Sequence, residues 1–177
     1  MKIKESCDFI SLPEAYRKLK HNVFRLKRYA VLTCDDGFVS ALSVLPFVVE
    51  QGIPMTLFIN AKYLDGKSVR EGYSECPQYI DADQLNSIRS DLITVGMHGY
   101  EHVDCTCLSA SDFARSVERC VNILESHPRF IPYYAYTWGR WNDTTQGVLK
   151  RMNLIPVLCD GATNYRYSHG ISRLCLV

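Results

Sequence analysis

The sequence has no apolar run long enough to cross a membrane, and its first six residues, MKIKES, contain no apolar signal core. Charge of one sign is also missing, because 20 Lys and Arg residues oppose 19 Asp and Glu residues and the formal net charge is +1. A chain without a basic block has no electrostatic attraction for nucleic acid or for an anionic membrane surface. These absences predict a cytoplasmic protein with no nucleic-acid partner and no transmembrane segment.

Internal repeats, low-complexity tracts and linkers are absent as well. Hydrophobic residues make up 47% and charged residues 22% of the 177 positions, values typical of a folded globular protein. This length suits one domain with a large core. We therefore expect a single domain over residues 1–177, with a helical N-terminal extension at about 11–28. The sequence SLPE at 11–14 has the pattern of a capping box with Pro in the first helical turn.

Cysteine is not scarce, since the chain has eight. Without a signal peptide we expect reduced thiols rather than a disulfide framework. Several cysteines occupy positions suited to small apolar residues, such as Cys120 on a helix face and Cys159 in a strand-like run. The sequence CTC at 105–107, with Cys120 and His127 beyond it, could form a structural zinc site. Its spacing fits no familiar zinc knuckle, so buried free thiols are favoured.

Strand-like and helical segments alternate along the chain. Short apolar runs predict strands at 29–34, 54–59, 92–97, 131–136, 155–159 and 173–177. Apolar residues at helical spacing predict helices at about 11–26, 40–51, 81–89, 109–126 and 142–152. This alternation predicts an α/β fold with parallel strands joined by right-handed crossovers. In such folds functional sites lie at the C-terminal ends of the strands.

Acidic and imidazole side chains follow two of these predicted strands. The sequence TCDDG at 33–37 places Asp35 beside Asp36, and such neighbouring carboxylates repel each other unless a cation lies nearby. The sequence HGYEH at 98–102 places two imidazoles four residues apart. One carboxylate and two imidazoles suit Zn²⁺ or a similar divalent ion with positions left open for water. The second Asp can then take a proton from that water, so the pattern predicts a metal-assisted hydrolase.

These segments, in this order, resemble the motifs of the polysaccharide deacetylase family, also called NodB-homology proteins or carbohydrate esterase family 4. TCDDG resembles the family's first motif, TFDDG, and HGYEH resembles its second, His-x-x-x-His. The sequence YAYTWG at 134–139 resembles the third motif in the branch that reads FAYPYG. The resemblance covers about residues 29–160. It implies a distorted, incomplete (β/α) barrel.

The resemblance also implies roles for individual residues. Asp36, His98 and His102 would hold a divalent metal, Zn²⁺ first and Co²⁺ or Ni²⁺ as further possibilities. Asp35 would be the general base for attack by water on the N-acetyl group of a carbohydrate or sugar-precursor substrate. A backbone N–H in the turn at 136–139 would complete the oxyanion stabilisation.

The sequence departs from the family pattern in several places. Gly99 replaces the Ser or Thr that braces the metal loop, and Ala135 stands where the longer third motif has the Arg that orients the base. The fourth motif, with its Asp and Trp, has no clear match. The family's late His, its general acid, also has no matching motif, and His169 is the nearest candidate. The candidate substrate-binding residues follow the fourth predicted strand: Tyr136, Trp138, Arg140 and Trp141. They could form a wall on which a sugar stacks, or they could be packed aromatic residues.

Three functions remain open at this point. The first is a metal-dependent carbohydrate N-deacetylase, a hydrolase of C–N bonds other than peptide bonds. The second is a hydrolase of the same fold acting on another C–N bond, such as a formamide or a ureide. The third is a non-catalytic sugar-binding relic, but Asp35 counts against it because metal binding alone needs only Asp36. An incomplete barrel and the apolar sequence LCLV at 174–177 also predict a homodimer.

Overall fold

A computed structural model of the chain describes residues 6–21, 28–69, 78–161, 164 and 167–174. Seven strands lie within them: β1 (Asp8–Phe9), β2 (Tyr29–Ala30), β3 (Leu32–Cys34), β4 (Met55–Ile59), β5 (Ile93–Met97), β6 (Phe130–Ala135) and β7 (Ile155–Val157). The α-helices there are α1 (Leu12–Lys20), α2 (Leu45–Glu50), α3 (Ala82–Ser87), α4 (Ala110–Leu124) and α5 (Asp143–Arg151). Short 3₁₀ turns occupy Val39–Ser43, Ala61–Asp65, Cys105–Cys107 and Thr137–Gly139.

Five of the strands form one parallel sheet whose order follows the chain, β3-β4-β5-β6-β7. Each connection in such a sheet must return from the C-terminal end of one strand to the N-terminal end of the next. α4 makes this return between β5 and β6, and α5 makes it between β6 and β7. The sheet curls into part of a barrel, which confirms the expected α/β fold with a distorted, incomplete barrel. β1 and β2 form a separate two-stranded parallel pair.

The sheet is buried on both faces. Every residue of β4 is buried, as expected for a strand covered on both sides. On the outer face, α4 packs Phe113, Val117, Cys120 and Leu124 against the sheet, and Ser109 caps the helix by accepting a hydrogen bond from the Asp112 N–H. On the other face, α1 contributes Leu12 and Leu19 to a smaller cluster that contains residues of β4, β6 and β7.

Several boundaries differ from the sequence predictions. The predicted helix at 40–51 divides into a 3₁₀ turn, Val39–Ser43, and α2, which begins with Pro46 in its first turn. The predicted strand at 29–34 divides into β2 and β3, and β2 pairs with β1, which was not predicted. The first helix ends at Lys20, and positions 22–27 lie outside the described residues.

The predicted last strand at 173–177 is not present at 173–174, and positions 175–177 lie outside the described residues. The pairing occurs earlier instead, where Ile171 forms an isolated parallel bridge with Val157 of β7. The Leu158 N–H donates to the Ile171 carbonyl at 2.7 Å, and the Ile171 N–H donates to the Pro156 carbonyl at 2.9 Å. The end of the described chain therefore lies beside the outer edge of β7.

The cysteines are only in part as expected. Among the described residues five are free thiols: Cys7, Cys34, Cys105, Cys107 and Cys120. The cysteines at positions 76 and 175 lie outside the described residues. Burial raises the pKa of the Cys105 thiol to about 12, so it stays neutral. Cys159, however, is disulfide-bonded, so the expectation of a reduced thiol is wrong at this position. Disulfides are rare in reducing compartments, so this bond counts against the expected cytoplasmic location. No helix in the described part of the chain is long and apolar enough to span a membrane.

Candidate metal centre

The candidate residues meet at one rim of the sheet. Asp36 lies two residues beyond β3, His98 directly follows β5, and the Thr137–Gly139 turn begins just beyond β6. Because parallel strands end at the same edge, three separate motifs converge at this rim. Among the residues that the structure describes, one group of three or more His, Cys, Asp or Glu side chains is placed to share a metal ion, namely Asp36, His98 and His102.

The loop after β3 has two consecutive residues in the left-handed region, Asp36 with φ 72° and Gly37 with φ 75°. This conformation is unfavourable for a residue with a side chain, so Asp36 is held in a strained position of the kind common at functional sites. The positive φ favours glycine at position 37, where a Cβ would also lie 2.8 Å from Cδ1 of Ile59. The Gly37 carbonyl also accepts a 2.8 Å hydrogen bond from the Ile80 N–H, which anchors the turn.

The loop after β5 is braced by a residue that the sequence analysis did not single out. Asn60, only 1% exposed, directly follows β4 and donates from Nδ2 to the His98 carbonyl at 2.5 Å. Gly99 has φ 90°, and a Cβ there would lie 3.0 Å from the Glu101 carbonyl oxygen. This lack of space explains why Ser or Thr is absent at position 99. The signal for Asn60 was a polar residue at the end of a fully buried strand, at the rim where sites form.

The three ligand groups are close and correctly oriented. Asp36 Oδ1 lies 3.2 Å from His98 Nε2 and 3.0 Å from His102 Nε2. His98 Nδ1 lies 2.9 Å from the Ala135 carbonyl oxygen, which only accepts hydrogen bonds, so Nδ1 carries the proton. In the neutral form that a metal ligand requires, His98 then directs the Nε2 lone pair at a carboxylate oxygen, which is also an acceptor. A divalent cation between these atoms would be bound by both lone pairs, so the residues present fit a metal.

The electrostatics of Asp36 agree with a ligand role. Burial alone would raise its pKa, but in the metal-free protein hydrogen bonds and charge from the protonated imidazoles of His102 and His98 outweigh burial and hold the pKa of the carboxyl well below its usual range. The carboxylate is therefore ionised throughout the neutral range. Next to it, burial and the charges of Asp35 and Asp36 raise the pKa of the Cys34 thiol. Cys34 thus provides a neutral side chain rather than a further anionic ligand.

Asp35 does not share the contacts of its neighbour. Its Oδ1 lies 2.6 Å from Nη1 of Arg173, and its Oδ2 lies 2.8 Å from Nη2 of the same guanidinium. The two residues are 138 positions apart, so no local pattern in the sequence indicates the pair. One indirect signal existed, because the third motif lacks its Arg at Ala135 and a carboxylate at the rim would then need another cation.

The four candidate substrate-binding residues divide into two exposed and two covered side chains. Trp138 is 56% exposed and packs edge-on against His102, with ring centroids 4.5 Å apart. Arg140 is exposed and donates from Nη1 to Asp104 at 2.7 Å. Tyr136 is 1% exposed, so its ring belongs to the core. Trp141 is half-buried and packs against the main core cluster.

The candidate general acid, His169, is an exposed residue. It precedes the Ile171–Val157 bridge by two positions, whereas Arg173 follows that bridge by two. In a parallel arrangement the later residue lies nearer to the rim that holds the site. The described contacts bring Arg173, not His169, to the Asp35 carboxylate, and the role of His169 stays a prediction.

Comparison with known proteins gives one family. Residues 25–157 match the sequence model of the polysaccharide deacetylase family. No curated protein sequence shows significant similarity to the chain.

Solved structures show the same fold. IcaB from Ammonifex degensii has 22% sequence identity and a TM-score of 0.78, with 97% of this chain and 77% of that chain covered. The Streptococcus pyogenes deacetylase PplD, solved in complex with acetate, has 20% identity and a TM-score of 0.70, with 97% and 76% covered. The deacetylase domain of BpsB from Bordetella bronchiseptica has 16% identity and a TM-score of 0.73, with 96% and 79% covered. At these identities the likeness establishes the fold alone.

Proposed function

The chain belongs to the polysaccharide deacetylase family, and on that premise we propose that it removes an N-acetyl group from an amino-sugar-containing carbohydrate with the help of a divalent metal. One observation carries the proposal. Asp36, His98 and His102 converge within a few ångströms, while the adjacent Asp35 is held separately by a guanidinium. This arrangement provides a ligand set and a distinct base, which a hydrolase needs and a sugar-binding module does not.

The ligand set suits Zn²⁺ better than Ca²⁺ or Mg²⁺, because two of its three donors are imidazole nitrogens. Co²⁺ and Ni²⁺ are further candidates. When bound, such an ion supplies Lewis-acid chemistry, lowering the pKa of water and polarising a carbonyl oxygen. The hydrogen bond from His98 Nδ1 to the Ala135 carbonyl keeps Nε2 directed at the site. Asn60 holds the loop that carries His98.

Asp35 is the group proposed to accept the proton of the attacking water. It directly precedes Asp36 in the chain, and the left-handed turn at Asp36 separates the contacts of the two carboxylates. Each oxygen of Asp35 accepts one hydrogen bond from Arg173 and retains a further lone pair for a proton. A general base placed in this way contributes about 10²–10⁴-fold to turnover.

The turn after β6 is proposed to bind the substrate. Trp138 offers an exposed aromatic face beside His102, and sugar rings stack on such faces. Arg140, held by Asp104, adds hydrogen-bond donors at the same rim. The Tyr136 N–H donates to the Val157 carbonyl and the Gly139 N–H to the Tyr136 carbonyl, so neither is available to an oxyanion. Thr137 begins the turn, where N–H groups lack partners within the helix, and is our candidate donor.

The proposal is tested by metal analysis and an activity screen. Purified protein should carry about one divalent ion per chain, and His98→Ala should remove it, whereas His21→Ala on the exposed end of α1 should not. The metal-loaded protein should release acetate from oligosaccharides of N-acetylated amino sugars. Release of formate from N-formylated analogues, with no release of acetate, would instead identify the other C–N hydrolase. Protein that binds no metal and is not activated by Zn²⁺ or Co²⁺ would contradict the proposal.

A further inference from the structure

Each of the three guanidinium nitrogens of Arg173 donates at least one hydrogen bond. Its side chain is 12% exposed. Besides its two bonds to Asp35, Nη1 donates to Thr33 Oγ1 at 3.0 Å and Nε donates to the Leu158 carbonyl at 3.1 Å. The guanidinium carbon lies 5.3 Å from the centre of the Phe58 ring, within range of a cation–π interaction.

We infer that Arg173 is the positioning residue of this enzyme: it fixes the direction of the Asp35 carboxylate and joins the two edges of the open sheet. The inference rests on the proposed function for the role of Asp35. A guanidinium has a rigid planar fork that matches both oxygens of a carboxylate, so two bonds fix the carboxylate plane as well as its distance. A single point charge cannot do this. Arg173 lies in none of the motifs identified in the sequence.

The contacts of Arg173 span the whole sheet. Thr33 belongs to β3, and Leu158 directly follows β7, and these are the first and last strands of the five. Phe58, beneath the guanidinium, belongs to β4. One side chain thus connects strands that have no hydrogen bonds to each other in this sheet order. In a complete barrel further strands would join the first strand to the last, and here Arg173 makes part of that connection with its side chain.

The terminal segment is shaped to deliver this side chain. The Ile171–Val157 bridge places the segment beside β7, and the Gly161 N–H donates to the Arg173 carbonyl at 3.1 Å. Gly170 lies so close to the sheet that a Cβ there would be 2.9 Å from Leu158 Cγ and 3.0 Å from the Pro156 carbonyl oxygen. A glycine is therefore needed for the segment to approach β7 this closely. The position of the segment in turn allows the Arg173 side chain to contact Asp35.

The test is a double-mutant cycle in turnover and in stability. Arg173→Met should lower kcat about 100-fold, the cost of a displaced catalytic group, while KM and the one zinc per chain are unchanged. Arg173→Lys should recover only a small part of the loss, since it restores charge but not the fork. If Arg173 acts through Asp35, the double variant Asp35→Asn/Arg173→Met should be no slower than Asp35→Asn alone.

A matched pair controls for the loss of any Arg–Asp contact. Arg115 pairs with Asp112 on the exposed surface of α4, so Arg115→Met and Asp112→Asn should leave kcat and zinc content unchanged. Urea unfolding of the metal-free variants gives a second readout, in which the Asp35 and Arg173 substitutions should be non-additive. Arg173→Lys serves here if Arg173→Met does not fold.

The outcomes are distinguishable. Wild-type turnover in Arg173→Met, or additive losses of kcat in the double variant, would overturn the role of Arg173 while leaving the deacetylase active. A wild-type protein that holds one zinc per chain but hydrolyses no amide of an amino sugar would instead contradict the proposed function, and the positioning role with it.

Discussion

Two adjacent carboxylates have different partners in this site. Asp36, turned by its positive φ, faces His98 and His102, whereas Asp35 is bound by Arg173. The Asp36 carboxylate thus lies beside two imidazoles, and the Asp35 carboxylate lies beside a guanidinium. These different partners reduce the electrostatic repulsion expected between the two carboxylates. This separation divides the roles, because one carboxylate is available as a ligand and the other as a base.

Gly99 gives a test of the metal loop at the level of one residue. Gly99→Ala should destabilise the protein by more than the roughly 1 kcal/mol typical of a side chain at positive φ, because its Cβ would meet the Glu101 carbonyl at 3.0 Å. It should also weaken zinc binding, since His98 and His102 flank this loop. Urea unfolding and zinc titration measure the two effects.

Gly52 is the matched control for that prediction. It also has a positive φ, 65°, but a Cβ there would meet no atom within 4 Å. Gly52→Ala should therefore show only the backbone cost and normal zinc affinity. Equal losses of zinc affinity in the two variants would show that the space around Gly99 does not shape the site.

At the level of elements, the sequence predicted helices and strands that depend on consecutive residues. It did not predict pairings between residues that are far apart in the chain. β4 and α4 were predicted closely, because a buried strand and an amphipathic helix are written in consecutive residues. α2 begins later than predicted because Pro46 is suited to a first turn. β1, two residues long, is defined by its pairing with β2, and Arg173 is brought to the site by the pairing of its segment with the edge of β7. The candidate metal ligands were predictable because they lie in two short motifs just after the ends of β3 and β5.

The end of α4 predicts a pH effect on stability. His127 is buried just beyond the helix, and its Nδ1 accepts a hydrogen bond from the Arg129 N–H. Burial, and next the charge of Arg129, lower the pKa of His127 below its ordinary 6.5 in the folded protein. The unfolded chain therefore binds the proton more readily, and stability should fall as the pH falls through about 6.5.

His127→Gln should remove that contribution. Urea unfolding of metal-free protein at about pH 8 and about pH 5.5 should show a smaller loss of stability for this variant than for wild type. Contributions that the substitution does not change cancel in the difference between the two proteins. His21→Gln, at an exposed position, should match wild type at both values. An identical pH dependence in His127→Gln and wild type would contradict the prediction.

At the level of the whole molecule, the sheet is an open arc whose two sides are covered differently. One face packs against α2, α3, α4 and α5, and α1 supplies Leu12 and Leu19 to the cluster on the other face. Arg173 then connects the two outer strands at the rim. The N-terminal helix, expected as an extension, is therefore integrated into the core of the fold.

The predicted homodimer is a testable property of this open arc. Leu174, next to Arg173, is 61% exposed and leaves an apolar surface beside β7. A second copy covering this edge should give a mass near twice 20.2 kDa in light scattering at micromolar concentration. A mass near 20.2 kDa would contradict the dimer.

In the proposed site Asp36 holds the metal while Asp35 acts on the water. Zinc content and acetate release, measured on the same preparations of wild type, Asp35→Asn and Asp36→Asn, test it most directly. Asp35→Asn should keep about one zinc per chain but lose about 10²–10⁴-fold in turnover, whereas Asp36→Asn should lose both. Wild-type turnover in Asp35→Asn, or full zinc content in Asp36→Asn, would contradict it.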